Sequence, residues 1–380
     1  MAKKIYYLGI LGIVLFEIAN VYFIMPMPGS QEMNSIDLAY FLYSWRWIFR
    51  LVFILMLLYG FKAAFQKSKI LSLIFFVIAI GIGYATNYVM AADSMFLQTH
   101  NLKMSDASKS KINTSRIVIG ITYKGESRAY PIQFLGYHHQ VFDTIAQHPI
   151  LVTYCTVCRS GRVFEPIVNG TKETFRLVGM DHFNAMFEDQ TTKSWWRQAT
   201  GEAIAGTLKG QSLPELPSRQ MSLKQWLALN PKSLIMQMDK GFKTEYDSLS
   251  NYESGRRKGN LTRRDTLSWK DKSWIVGITV DNQSKAYDWN DFVKKRIIYD
   301  VINNKPIVLI LANDNTSFIA FERSSKEQKF NLTNTVLNDG QNEYTFLGQS
   351  RNPLIRDLKP IKAYQEYWHS WKTFHPFTLK

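Results

Sequence analysis

"VIGITYKGESRAYPIQFLGYHHQVFDTIAQHPILV", residues 118–152, is matched without a gap by "IVGITVDNQSKAYDWNDFVKKRIIYDVINNKPIVL", residues 275–309, which lies 157 positions later. Carried on to Glu165 and Glu322, thirteen of 48 positions are identical, among them Gly120/Gly277, Tyr130/Tyr287, Asp143/Asp300 and Pro149/Pro306. A period this long marks a duplicated module rather than a solenoid. Each copy reads as β-rich. An apolar strand meets a polar turn ("YKGES" or "VDNQS"), then a strand edge at "RAY" or "KAY", one or two helical turns, and a strand pair about the proline. Asn169-Gly170 predicts a hairpin turn. "SLKQWLALNP" (222–231) predicts a short amphipathic helix that starts at a Ser cap and stops at a proline.

Upstream of the repeats the composition changes. Three apolar runs, roughly 5–25, 40–61 and 70–90, are long enough to cross a hydrocarbon core of ~30 Å. The first is not a cleavable signal peptide, because it has no small-residue cleavage site and two further spans follow. Lys3 and Lys4 precede the first run, and Lys62, Lys67 and Lys69 lie between the second and third. "GSQEMNSIDLAY", between the first two, has no Lys or Arg. The positive-inside rule then puts the N-terminus in the cytoplasm and the chain after residue 91 outside, in a multi-pass cytoplasmic (inner) membrane protein with a periplasmic domain. Glu17 and Arg50 fall at nearly the same depth within their runs, which predicts an intramembrane ion pair.

The fold expected is therefore α+β: three N-terminal transmembrane helices followed by a β-rich ectodomain of two related repeats. Its parts are a membrane anchor (1–91), a first repeat (92–240), a linker (241–272) and a second, degenerate repeat (273–380). The bilayer is the first partner. Residues 92–380 carry 39 Lys and Arg (46 − 7) against 28 Asp and Glu (31 − 3), a net +11. The densest run is "SGRRKGNLTRRD" (254–265). Outside the cytoplasm this charge argues against nucleic acid and for an anionic lipid surface or envelope polymer, or a plain solvated loop.

Both cysteines of the chain stand in "VTYCTVCRSGRVFEP" (152–166), between two probable strands. That context is a strand–knuckle–strand, which lets two thiolates face one ion, rather than the helix N-terminus of thioredoxin-type pairs. The second copy has Ala312 and Asn315 where the first has Cys155 and Cys158, and Lys295 and Arg296 where the first has His138 and His139. The scaffold persists while all four metal- or redox-capable side chains are absent together, which points to one shared site in the first copy.

Three chemistries fit. A metal site needs more ligands than Cys155 and Cys158, and His138, His139 and His182 are the candidates, with Met180 and Met186 as soft alternatives. Zinc suits Cys/His ligation; copper suits it too, and methionine would favour Cu(I). On a strand, His138 and His139 would point to opposite faces, leaving one toward the thiols. A thiol–disulfide oxidoreductase would use Cys155 or Cys158 as nucleophile, with Arg159 favouring thiolate. A structural envelope protein would close the pair as a disulfide. Downstream, "DQTTKSWWRQATGEAIAGTLKG" (189–210) combines Trp196, Gln198 and Glu202, which with Asn184 could wall a small-ligand pocket. No nucleophile elbow, Walker loop, dinucleotide fingerprint or His-Glu-x-x-His is present, and no Cys-x-x-Cys-His for covalent haem.

These motifs in this order resemble the bacterial and archaeal domain of unknown function 3179 family. The resemblance is carried by Arg128 to Pro131, His138, Asp143, Val152 to Cys155, Cys158, Asn184, Asp189, Ser194, Trp196, Gln198 and Gly201 to Ile204. It is strong over roughly 115–235 and weak in the second repeat. His139 replaces the family's usual Glu, Phe142 lies close to its Asn, and Thr156-Val157 replaces its Pro-Leu. The resemblance locates a site and implies no activity.

Overall fold

The computed structural model describes residues 1–380, and the chain divides into two units. The first comprises Met1–Leu97 with Glu173–Arg197 and Glu202–Ser212. Three of its helical stretches are long and apolar enough to span a bilayer: Ala2–Tyr22, Arg46–Lys67 and Lys69–Val89, the last ending in a π turn over Ala85–Val89. The second stretch begins later than the apolar run suggested. The backbone leaves the helical path at Trp45, which splits off a separate helix Ile36–Ser44. At the other end the helix continues through Lys62 to Lys67, so that Ser68 alone separates it from the third. Helix packing uses small residues, as it does in lipid. A Cβ on Gly60 would lie 2.5 Å from the Ala2 carbonyl oxygen, and one on Gly12 would lie 2.3 Å from the Phe53 ring. Leu51, Leu55, Leu58, Ile70, Ile74 and Ile78 remain exposed, as a lipid-facing surface requires.

Glu17 and Arg50 form the ion pair their depths predict. Arg50 Nε and Nη2 donate to the two carboxylate oxygens at 2.7 and 3.0 Å. Asn87 closes the cluster, donating to Glu17 Oε2 and accepting from Arg50 Nη2, both at 2.7 Å. The same unit holds an antiparallel four-stranded sheet in the order Ala203–Ala205, Trp195–Arg197, Asn184–Asp189, Phe175–Asp181. Val178, Met186, Trp195 and Ile204 of this sheet pack on Ala39 of the short helix.

The second unit comprises Gln98–Lys172, Gln198–Gly201 and Leu213–Lys380. Here one succession of elements occurs twice. Strands Ile117–Tyr123 and Glu126–Pro131, helix Ile132–His138, and strands Gln140–Ile145, His148–Cys155 and Ser160–Phe164 make the first. Strands Trp274–Val280 and Gln283–Asp288, helix Trp289–Lys295, and strands Ile297–Ile302, Lys305–Leu311 and Phe318–Glu322 make the second. Both helices end in a left-handed residue, His139 (φ 60°) and Arg296 (φ 62°), whose backbone N–H returns to Leu135 or Phe292. The phenols of Tyr130 and Tyr287 donate to Asp143 and Asp300 at 2.6 and 2.8 Å.

Each succession is completed by a later strand and helix: Ser218–Ser222 with Leu223–Leu229, and Ala363–Tyr367 with Trp368–Phe374. The registers correspond, with Ser222 opposite Ile117 and Tyr367 opposite Trp274. The reason that Gly120 and Gly277 are shared by the two stretches is then steric. A Cβ on Gly120 would lie 2.4 Å from the Trp226 ring, and one on Gly277 would lie 2.3 Å from Trp371. The expected Ser cap is present, Ser222 Oγ accepting from Gln225 N at 3.1 Å. So is the hairpin turn, where Asn169 and Gly170 (φ 49° and 78°) join two two-residue strands.

Residues 241–272 differ from a bare linker. They carry the helix Lys243–Ser248 and bury Phe242, Tyr246, Leu249 and Tyr252, an aromatic content large enough to be drawn into the core.

Candidate functional site: a buried dithiol shared by two halves

Strand His148–Cys155 runs out at the first cysteine, the chain turns through Thr156 to Arg159, and the next strand begins at Ser160, which pairs with Cys155. Arg159 takes the left-handed conformation (φ 57°) that closes this turn. This is the strand–knuckle–strand that the sequence predicts. Gln198 clamps it from the side: its Nε2 donates to Thr153 Oγ1 (3.0 Å) and Ser160 O (3.2 Å), and its Oε1 accepts from Ser160 Oγ (2.7 Å).

Both cysteines are free thiols and both are fully buried. Burial pushes the Cys158 thiol well above its ordinary value, and its hydrogen bond with Cys155 adds to the rise. A hydrogen bond from Ser370 and the charge of Lys272 act in the other direction. The cation that acts on the thiol is thus Lys272, not its sequence neighbour Arg159. Arg159 engages other groups: Nε donates to Gln365 Oε1 (2.9 Å), Nη2 donates to Glu253 O (3.2 Å), and the guanidinium lies 3.8 Å from the Trp274 ring centre.

Lys272 Nζ donates to the carbonyl of Val157, between the two cysteines, at 2.7 Å. Burial lowers its pKa to about 8, against the opposing field of Cys158 and Cys155. His369 Nε2 reaches the same carbonyl at 3.0 Å, and burial, followed by the Lys272 charge, lowers the ring to about 3, so it is neutral. Ser370 Oγ donates to Glu366 Oε2 at 2.8 Å, and Arg162 Nη2 donates to Glu366 Oε1 at 2.5 Å. The main chain closes the assembly where Tyr367 N donates to Cys158 O at 2.9 Å.

The first-half thiols are therefore surrounded by the second half's final strand and helix, with Lys272 just before it. Sequence reasoning passes over Lys272, Glu366, His369 and Ser370, since they lie more than 100 residues from the cysteines and carry no motif. One signal does point to them. "QEYWHSW" (365–371) lines up with "QMSLKQW" (220–226), sharing the Gln and the Trp. Those two glutamines touch in the structure, Gln220 Nε2 donating to Gln365 Oε1 at 2.7 Å. The converse contact exists as well, Ser222 N donating to Ser317 Oγ in the second knuckle at 2.9 Å. Each knuckle is covered by the other half's closing strand.

The proposed ligand sets separate as follows. His138 and His139 end a helix rather than lie on a strand. His138 Nε2 is 2.6 Å from the Tyr246 hydroxyl, with Phe242 packed edge-on to the ring. His139 Nδ1 is 2.9 Å from Tyr154 O, and burial lowers its pKa to about 4. No three His, Cys, Asp or Glu side chains stand together in a group able to hold a metal ion. His182, Met180, Met186, Asn184, Trp196 and Glu202 belong to the first unit, whereas the thiols belong to the second. His182 Nδ1 is 2.5 Å from Asp181 Oδ1, and Arg197 holds the other carboxylate oxygen at 2.6 Å. Trp196 is buried, its indole N–H donating to Asp189 at 2.9 Å, as a core residue rather than a pocket wall.

In the second half Ala312 and Asn315 occupy the thiol positions, and polar groups hold the turn. Asp314 Oδ2 accepts from Ser222 Oγ and Ser317 Oγ, both at 2.6 Å. The turn closes without sulfur, so the thiols of the first half are not required by the fold.

A family model described as "Protein of unknown function (DUF3179)" matches residues 98–378, which takes in both halves of the second unit. No curated protein and no solved structure matches the chain.

Proposed function

The chain belongs to the DUF3179 family, and from the site it carries we propose that it is a membrane-anchored thiol redox protein whose working pair is Cys155 and Cys158. The observation that carries this reading is a pair of reduced, hydrogen-bonded thiols beside a lysine of lowered pKa, with no third ligand grouped around them. The apolar helices supply the anchor. The distribution of lysines supports an N-terminus in the cytoplasm and a dithiol outside it, where disulfides form and persist.

The chemistry is a two-electron exchange with a disulfide of class R–S–S–R. The hydrogen bond between the thiols raises the pKa of Cys158, which favours Cys155 as the attacking sulfur. The Cys155 sulfur forms a bond to one sulfur of the substrate and expels R–S⁻, which takes up the Cys155 proton and leaves as R–SH, and a mixed disulfide remains. Cys158 then loses its proton to Lys272, whose amine is partly neutral near pH 8, and attacks Cys155. The second R–S⁻ departs, the Cys155–Cys158 disulfide is formed, and the substrate has taken up two electrons. Full burial of the sulfurs restricts the reaction to a small reactant, or to a state in which the wall carrying Lys272 has opened.

The test is titration of the full-length protein in detergent against dithiothreitol redox buffers, following thiol content by alkylation and mass. A reversible midpoint between about −270 and −120 mV, the span of thiol catalysts, is expected. Cys155→Ser and Cys158→Ser should each abolish it. A midpoint below about −300 mV would assign a structural disulfide instead. One tightly bound zinc or copper per chain, lost in either variant, would assign a metal site.

A further inference from the structure

Asn260, Arg263, Arg264, Asp265, Thr266 and Lys272 line a cleft of about 370 Å³ in the second unit. This is the segment where the basic run 254–265 ends, and the structure gives that run a concave face. Three of the six lining residues are cationic and one is acidic. Arg264 Nη2 donates to the neutral Asn290 Oδ1 at 2.8 Å, while its buried Nε has no hydrogen-bond partner in the protein. Behind it the Trp274 ring is approached by two guanidiniums, Arg264 at 4.0 Å and Arg159 at 3.8 Å. Arg159 is 1% exposed, and its Nη1 also lacks a partner. Asp265 Oδ1 is occupied by the Leu267 N–H at 2.9 Å. Asp288, whose field acts on Arg264, accepts at Oδ2 from Ser268 Oγ and Asp291 N at 2.9 and 3.0 Å, while its buried Oδ1 has no hydrogen-bond partner. Positive charge therefore outnumbers negative charge along the cleft, three cations to one carboxylate, and Asp288 offsets only part of the charge of Arg264. Such a space is stabilised by a bound anion.

We propose that this cleft binds a small molecule through an oxyanion, a carboxylate or a phosphate group. Arg263 and Arg264 grip the oxyanion, and Asn260 and Thr266 supply neutral polar contacts. Lys272 forms a wall of the cleft while its ammonium donates to the carbonyl between the two cysteines. The cleft is thus the approach to the dithiol for an anionic small-molecule substrate, a consequence that rests on the redox reading above; the oxyanion site itself does not.

The experiment is isothermal titration of the full-length protein in detergent with inorganic phosphate and, separately, with citrate. Saturable binding of one anion per chain is expected from at least one of the two, and which one binds distinguishes phosphate from carboxylate recognition. Arg264→Gln should weaken it about tenfold, the worth of one charge-assisted hydrogen bond. Arg263→Gln, at an exposed position that leaves the core untouched, should weaken it several-fold, and Arg264→Lys should retain part of it. Lys326→Gln, an exposed cation elsewhere in the unit, should bind as the parent does. The Cys155→Ser/Cys158→Ser double variant should also bind as the parent does, so failure of the redox reading leaves this result standing. The proposal is overturned if neither anion saturates, if Arg263→Gln and Arg264→Gln bind like the parent, or if Lys326→Gln loses as much as they do.

Discussion

Replacing Arg162 by methionine tests how the dithiol is held. Arg162 and Glu366 are 4% and 2% exposed, and their 2.5 Å hydrogen bond joins a strand of the first half to the closing strand of the second. The guanidinium also lies 3.5 Å from the Tyr364 ring centre, and its Nε is 3.9 Å from Glu215. Methionine fills most of the space and keeps the ring contact, but it leaves Glu366 with Ser370 Oγ as its remaining side-chain donor at 2.8 Å. Breaking a buried ion pair from one side costs about 3–5 kcal/mol, because the remaining charge is stranded. Arg162→Met should fall in that range. Glu366→Gln should strand the arginine less severely, since Glu215 is close, and the double variant should recover about 2 kcal/mol or more of the summed loss. The assay is urea unfolding of the full-length protein in mild detergent, followed by tryptophan fluorescence and compared at constant slope across the four proteins. A loss below about 1 kcal/mol for Arg162→Met, or strict additivity in the double variant, would refute the account of this pair.

Two further outcomes follow from the same architecture. Gly120→Ala and Gly277→Ala each force a methyl group into a tryptophan ring at 2.4 and 2.3 Å, so both should cost about 1–3 kcal/mol and lower the melting temperature by about 2–4 °C per kcal/mol. An unchanged melting temperature in either would mean that the two halves do not share this packing. His139 binds its proton at about 4 when folded and near 6.5 when unfolded. The unfolded chain therefore binds more protons between these values, and the stability present above pH 6.5 is lost as the pH falls to 4. The loss is about 3 kcal/mol from this residue. His139→Asn, which tolerates the left-handed backbone and can still donate to Tyr154 O, should flatten that part of a pH–stability profile, and an unaltered profile would count against the assignment.

Much of this was legible in the residues because it depends on local pattern. Apolar runs of membrane-spanning length, the equal depths of Glu17 and Arg50, the Ser222 cap and the Asn169-Gly170 turn are each decided by a few neighbouring positions. The ungapped offset of 157 coincides with a similar order of elements in the two stretches, but a first repeat expected over 92–240 did not reveal that Glu173–Arg197 groups with the helices. The surroundings of the histidines could not be read from the sequence, for a physical reason. His138 and His139 differ from the second copy together with the cysteines, but one packs among aromatics drawn from 242–246 and the other occupies a left-handed helix end. Both are positions where Lys295 and Arg296 serve when the surroundings are solvated. Adjacency in sequence does not set the partners of Arg159: as a turn residue in the left-handed region it sends its side chain to Gln365, Glu253 and Trp274.

The surroundings of the dithiol could not be read from the knuckle alone, because the duplication is closed by exchange. Gln220 meets Gln365, Ser222 serves the second knuckle, and Tyr367 serves the first. In that arrangement a knuckle's chemistry is set by the other half's closing segment. The second half, which has no cysteine, is then not a worn copy of the first. It supplies Glu366, His369 and Ser370 around thiols it does not itself contain, and its own knuckle, tied by Asp314 and Ser317, is free to serve as structure. The sulfur comes from one half and the covering segment from the other, a division of labour within one site.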